Sequence, residues 1–192
     1  MTQSFLSRCA AASAVMALTA GPVLAQSAPV LYTVIVPAGE FGSAAFLRQL
    51  VTSLSAAKAF CADIDAAEYR VDCLAERLES VSTEIPEDSD YEEVRQVLRD
   101  TARDIHRLTR KNRDWKQGNA YASRKASPSD RTTRPLTPIN PARAAQVNQQ
   151  ASAILDQAQT VLLRSAEAAE ERRSQYVQIA EALGSNKVLL RS

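Results

Sequence analysis

Few side chains in this sequence are of the kinds that perform chemistry, and their spacing narrows the possibilities further. His106 is the single histidine, which excludes multi-histidine metal centres. A glutamate three positions before it would make a di-iron ligand pair in a helical bundle, but Arg103 stands there. By helical periodicity His106 leaves the apolar face and sits among Arg103 and Arg110, the pattern of a solvent-facing residue. Neither a G-x-S-x-G elbow nor a glycine-rich phosphate loop is present. Glu84, Glu87, Asp88 and Asp90 offer carboxylates for glycoside cleavage or weak calcium binding. They surround Pro86 at a turn, however, and lack the D-x-[DN]-x-[DN]-G spacing, so solubility and helix capping suit them better. No catalytic, cofactor-binding or metal-binding residue is assigned.

Cys61 and Cys73 are separated by eleven residues, which is not the C-x-x-C of an oxidoreductase. In an oxidising compartment they are expected to form a structural disulfide. Their Cα atoms must come within about 7 Å, which requires the helix carrying Cys73 to begin late or the preceding helix to end early.

Charge is strongly segregated. Residues Ala75 to Glu93 hold eight acidic side chains and one basic, whereas Val94 to Arg134 hold twelve basic and four acidic. The two blocks either neutralise each other across the fold or attract charged partners over about 10 Å at moderate salt. Arg110, Lys111, Arg113, Lys116, Arg124 and Lys125 form a candidate patch for an anionic ligand. Trp115 and Tyr121 flank the start of its loop and are candidate aromatic contacts for a sugar or peptide; a tryptophan ending an amphipathic seam otherwise plugs the end of a bundle. Nucleic acid is disfavoured by the near-neutral charge and the scarcity of aromatics.

The elements that would position these groups are mostly helical. Five glycines and 5% aromatic residues are thin material for a sheet protein, whereas Ala, Leu, Gln, Glu and Arg are abundant. Residues 1–25 read as a cleaved signal peptide: Arg8, an uncharged apolar stretch from Cys9 to Ala20, and small residues before Gln26. Arg8 precedes Cys9 where a lipoprotein signal needs a small residue, so no lipid anchor is expected. Residues 26–42 contain the β-branched run Val30 to Val36, an extended segment expected to pack on its own chain, to pair with Val188-Leu189-Leu190, or to join a partner's sheet.

A three-helix region spans 43–116. Leu47, Leu50, Leu54, Ala57 and Cys61 form the seam of the first helix. The second starts at a capping box of Asp65 and Glu68, carries Ala67, Val71, Leu74, Leu78, Val81 and Ile85, and stops at Pro86. The third carries Tyr91, Val94, Leu98, Thr101, Ile105, Leu108, Asn112 and Trp115, with acids in its first turn and bases in its last. Residues 117–139, rich in Pro and Ser, read as a basic mobile loop. Asn140 and Pro141 open a helix over 140–184 that Gly184 stops, roughly 65 Å long at 1.5 Å per residue. Its seam, Ala144, Val147, Ala151, Ile154, Ala158 and Val161, then Ala168, Ile179 and Leu183, is poor in bulk. The C-terminal tail is 185–192.

The expected architecture is therefore all-α: an antiparallel helical bundle or hairpin with one long C-terminal helix and a short extended N-terminal segment. The expected role is an exported, non-catalytic interaction or scaffold protein of the cell envelope, periplasmic or extracellular, without cofactor or transmembrane segment. Its long helix would pair with a protein partner or with another copy. The alternative is a binding module for a glycan, lipid head group or acidic protein, working through the basic loop.

Overall fold

The computed structural model describes residues 44–124, 127–168 and 170–191. The signal segment, the run Val30 to Val36 and Lys125 lie outside them. The chain is mainly helical. Helix α1 spans Ala44–Ala62, α2 Arg70–Glu84, α3 Glu92–Lys111, α4 Ala144–Ala168 and α5 Arg173–Gly184. Two short strands, β1 Ser123–Arg124 and β2 Ser127–Arg131, pair antiparallel between α3 and α4.

The seams of the first helices explain their packing. Leu47, Leu50, Leu54, Ala57 and Cys61 are all buried on α1, as are Val71, Leu74, Leu78, Val81 and Ile85 along α2 and its end. The two helices run antiparallel: Cys61 meets Cys73 at one end, and Ser53 Oγ donates to Glu84 Oε2 at 2.7 Å towards the other. A 3-10 turn, Ala67–Tyr69, precedes α2, so Ala67 is exposed there rather than part of the buried seam. The capping box of Asp65 and Glu68 therefore stands ahead of the helix rather than on its first turn. This late start places Cys73 beside the hinge, with Cα atoms 5.7 Å apart and the sulfurs bonded. Asp88 turns the chain between α2 and α3 with φ 56°, left-handed backbone that a short polar side chain tolerates.

Helix α3 packs on both α2 and α4. Its buried stripe is Val94, Leu98, Thr101, Ala102, Ile105 and Thr109. Trp115 does not plug the bundle: it lies beyond the helix and is 81% exposed, because the chain turns away at Asn112 and Asp114 to pair with Pro138, Ile139 and Asn140.

The single helix expected over 140–184 is two helices. Asn140 Oδ1 does cap the start, accepting from the Ala142 N–H at 3.0 Å with Pro141 at the first position. The chain then reverses between Ala168 and Arg173, and α5 lies back along α4. Gly184 faces Gln159, where a Cβ would come within 2.6 Å of the amide oxygen, and Lys187 reaches Asp156. The buried stripe of α4 is Val147, Ala151, Leu155, Ala158, Leu162 and Ala166. Leu155 and Leu162 thus take the places expected for Ile154 and Val161, one residue round the helix. The small alanines between them admit Tyr176, Ile179, Ala180 and Leu183 of α5. Folding back buries an apolar face that a straight helix leaves in water, at about 25 cal/mol per Å². Val188, Leu189 and Leu190 belong to a 3-10 segment, Ser185–Arg191, and offer no strand for pairing.

Candidate functional site

Two carboxylates on one face of α2 organise the segment between α3 and α4. Asp72 and Glu76, one helical turn apart, are 0% and 1% exposed. Asp72 Oδ2 accepts from Arg134 Nη1 and from the Thr137 backbone N–H, both at 2.7 Å. Its Oδ1 lies 2.7 Å from His106 Nδ1 and accepts from Thr109 Oγ1 at 2.9 Å. Glu76 Oε1 accepts from the Thr133 N–H at 2.7 Å, Thr133 Oγ1 at 2.8 Å and Arg77 Nη2 at 2.8 Å.

Burial alone would raise both acids. For Asp72 the donors His106 and Arg134, the Arg134 charge and the Thr137 N–H outweigh it and hold the carboxyl below its ordinary value. Glu76 is held low in the same way, by Arg77 and Thr133 against the cost of burial. An ionised carboxylate only accepts, so His106 donates from Nδ1.

These anchors overturn the expectation of a mobile loop. Leu136 and Ile139 are buried in the core, with Thr132 and Thr137 beside them. The outgoing and returning arms are zipped by backbone bonds: Ala120 and Leu136 exchange both hydrogen bonds, at 3.1 and 2.8 Å, and the Asp114 N–H donates to Pro138 O at 2.9 Å. His106 is likewise no free surface residue; its side chain is only 34% exposed and its ring is oriented by Asp72.

The ordered arms and the C-terminal half of α3 enclose an open recess of about 850 Å³. Arg103, His106, Arg107, Arg110 and Lys111 form its α3 wall, while Arg113, Trp115, Asn119 and Arg134 come from the loop arms. Six of the lining side chains are cationic, and none is a carboxylate. Arg103 is paired with Asp100 at 2.9 Å and Arg107 with Asp104 at 3.0 Å, both exposed pairs, while Arg134 is engaged by buried Asp72. Arg110, Lys111 and Arg113 form no ion pair with a described residue. Arg113 stacks over the Trp115 ring at 4.7 Å, and its Nε is buried without a hydrogen-bond partner among the described residues. The C-terminus of α3 contributes roughly half a negative charge, far less than the cations around it. A concave wall of one sign concentrates the field and draws in counter-ions.

The residues singled out by sequence divide into groups. Arg110, Lys111, Arg113 and Trp115 converge on the recess. Lys116 is exposed just beyond it, its N–H donating to Asp114 Oδ1 at 2.9 Å. Arg124 lies elsewhere, 3.7 Å from Asp130 and beside Phe60 and Arg77 in a separate depression. Tyr121 belongs to a third depression with Ile64 and Tyr69, its ring covered by Arg131 at 4.4 Å. The acidic turn serves structure: Glu87 pairs with Arg95 at 2.9 Å, and Asp90 with Arg172 at 3.8 Å. Among the described residues no group of His, Cys, Asp and Glu is arranged to hold a metal ion, and no helix is long and apolar enough to cross a membrane. Sequence reasoning missed Asp72, Glu76, Thr109, Thr133, Arg134 and Thr137. Their signal was two carboxylates four residues apart beside the α2 seam, facing a threonine- and arginine-bearing loop.

No protein-family model matches this chain, and neither a curated protein nor a solved structure matches it.

Proposed function

We propose that this chain is an exported, non-catalytic binding module for anionic ligands of the cell envelope, and that the recess between α3 and the loop arms is its binding surface. The observation that carries the reading is the wall itself: cationic side chains without a facing carboxylate, three of them lacking any ion pair with a described residue. Buried Asp72 and Glu76 support it, because they hold the loop arms in place before a ligand arrives and so lower the ordering cost of binding. A disulfide is compatible with an oxidising compartment. The competing scaffold reading drew on one long helix over 140–184, whereas the chain folds α5 back against α4.

Trp115 provides the test, since it is the sole tryptophan and lies in the recess. Its emission should change saturably when the purified chain is titrated with a sulfated oligosaccharide, and the apparent affinity should fall as salt rises. The double variant R110A/K111A should bind about tenfold more weakly, each lost charge contact being worth about 0.7 kcal/mol. An unchanged emission across the titration, with no binding by calorimetry, would remove the reading.

A further inference from the structure

Resting on that reading, we infer that the recess takes a linear polyanionic glycan laid along α3, rather than a single small anion. The α3 cations that line the recess are strung along the helix rather than gathered at one point. Arg103, Arg107 and Arg110 occupy one face of α3 at intervals of four and three residues, so positive charge recurs once per turn, about every 5.4 Å. From Arg103 to Lys111 the row runs roughly 12 Å along the axis at 1.5 Å per residue. A lone phosphate or sulfate needs donors aimed at one point, and side chains two turns apart cannot share it. A chain with a charged group on successive rings meets the row in sequence.

The carboxylates along the row are placed to be exchanged. Asp100 and Asp104 pair with Arg103 and Arg107 from the preceding turn, and all four side chains are at least half exposed. Exposed pairs of this kind contribute little to stability. An incoming sulfate or uronate can replace each aspartate at little cost. Arg110 and Lys111, at the end nearest Trp115, have no such partner to displace among the described residues.

Trp115 selects the class of polyanion. One ring at the mouth of the recess, 81% exposed and backed by Arg113, offers one stacking face. A pyranose presents a flat C–H surface that uses a single platform, with charges carried on neighbouring rings. Single-stranded nucleic acid draws on a series of aromatic faces for successive bases. The next exposed aromatic, Tyr121, is covered by Arg131 and lines a different depression.

The experiment is a length series. The whole chain is titrated with inorganic sulfate and with sulfated di-, tetra- and hexasaccharides, read by Trp115 emission and by calorimetry at several salt concentrations. Affinity is expected to rise about tenfold or more from the disaccharide to the hexasaccharide, with a steeper salt dependence as more charges are neutralised. R103A and R107A should weaken the hexasaccharide several-fold and leave the disaccharide unchanged, whereas R110A/K111A should weaken both. D104N, which removes a competing carboxylate, should tighten the hexasaccharide. Equal affinity for sulfate and hexasaccharide would leave the anion-binding reading standing and overturn the lengthwise one. Tighter binding of a length-matched oligothymidylate would overturn the glycan assignment, and no binding of any probe would overturn both.

Discussion

Arg134 Nη1 lies 2.7 Å from Asp72 Oδ2, sixty-two positions away in the chain. That contact converts a proline- and serine-rich segment into one wall of a recess. Replacing Arg134 by Ala should free the arm from Thr132 to Thr137 while the helices remain. Limited trypsin digestion should then cut at Arg124 or Arg131 several-fold faster, with an unchanged far-ultraviolet spectrum. Equal cleavage rates would mean that the Thr133 and Thr137 contacts hold the arm without it.

The two buried acids give stability a defined pH dependence. Asp72 and Glu76 have folded values below their ordinary 3.8 and 4.5. The unfolded chain therefore binds protons first as pH falls, and the stabilisation, complete above about pH 5, is lost on passing down through the folded values. Urea midpoints should be nearly flat from pH 7 to about 5 and decline below about 4. Asp72→Asn should be less stable at neutral pH and show a shallower decline. A variant with the same acid profile as the parent would place the effect elsewhere.

Removing the carboxylate entirely is costlier. Asp72→Ala strands the Thr137 N–H and leaves Arg134 without its buried partner. The expected loss is about 3–5 kcal/mol in denaturant unfolding. A loss below about 1 kcal/mol would mean that water replaces the carboxylate.

Leu98 is fully buried at the centre of α3. Leu98→Ala should destabilise the chain by about 2–5 kcal/mol, the spread reflecting how far the neighbours collapse into the cavity. Chemical unfolding of both proteins under one condition measures it.

Reduction of the Cys61–Cys73 bridge, which closes a sequence separation of 12 residues, should lower stability by about 3 kcal/mol in the chain-entropy view. The melting temperature of the reduced chain should fall accordingly. Two free thiols by mass with an unchanged melt would show the bridge to be thermodynamically idle.

What the residues disclosed in advance were features of short range or strict period. The seams from Leu47 to Cys61 and from Val71 to Ile85, the Asn140 cap and the pairing of the two cysteines all follow from local pattern and chemistry. The reversal after Ala168 carries no glycine or proline. It follows from the packing of α5 on α4, which local propensity does not encode. The seam of α4 was ambiguous because Ile154 and Leu155, like Val161 and Leu162, fit alternative three- and four-residue steps. Order in the loop was hidden for a different reason: its anchors are single polar side chains on a helix sixty residues earlier, without a period of their own. Trp115 continues the α3 seam by period, but the chain leaves the helix at Asn112 and carries the ring into solvent.

The anchors sit at the base of the excursion between α3 and α4, around Asn112 to Asp114 and Thr132 to Asn140, and none of the residues that line the recess belongs to β1 or β2. Length and sequence between the two strands are therefore decoupled from the lining of the recess. A foreign peptide spliced between Arg124 and Ser127 should leave the recess intact at small cost, since each doubling of a flexible loop costs only about 0.6 kcal/mol. The chain thus behaves as a frame with a replaceable tip, whose grip on its ligand and whose tolerance to insertion are independent properties.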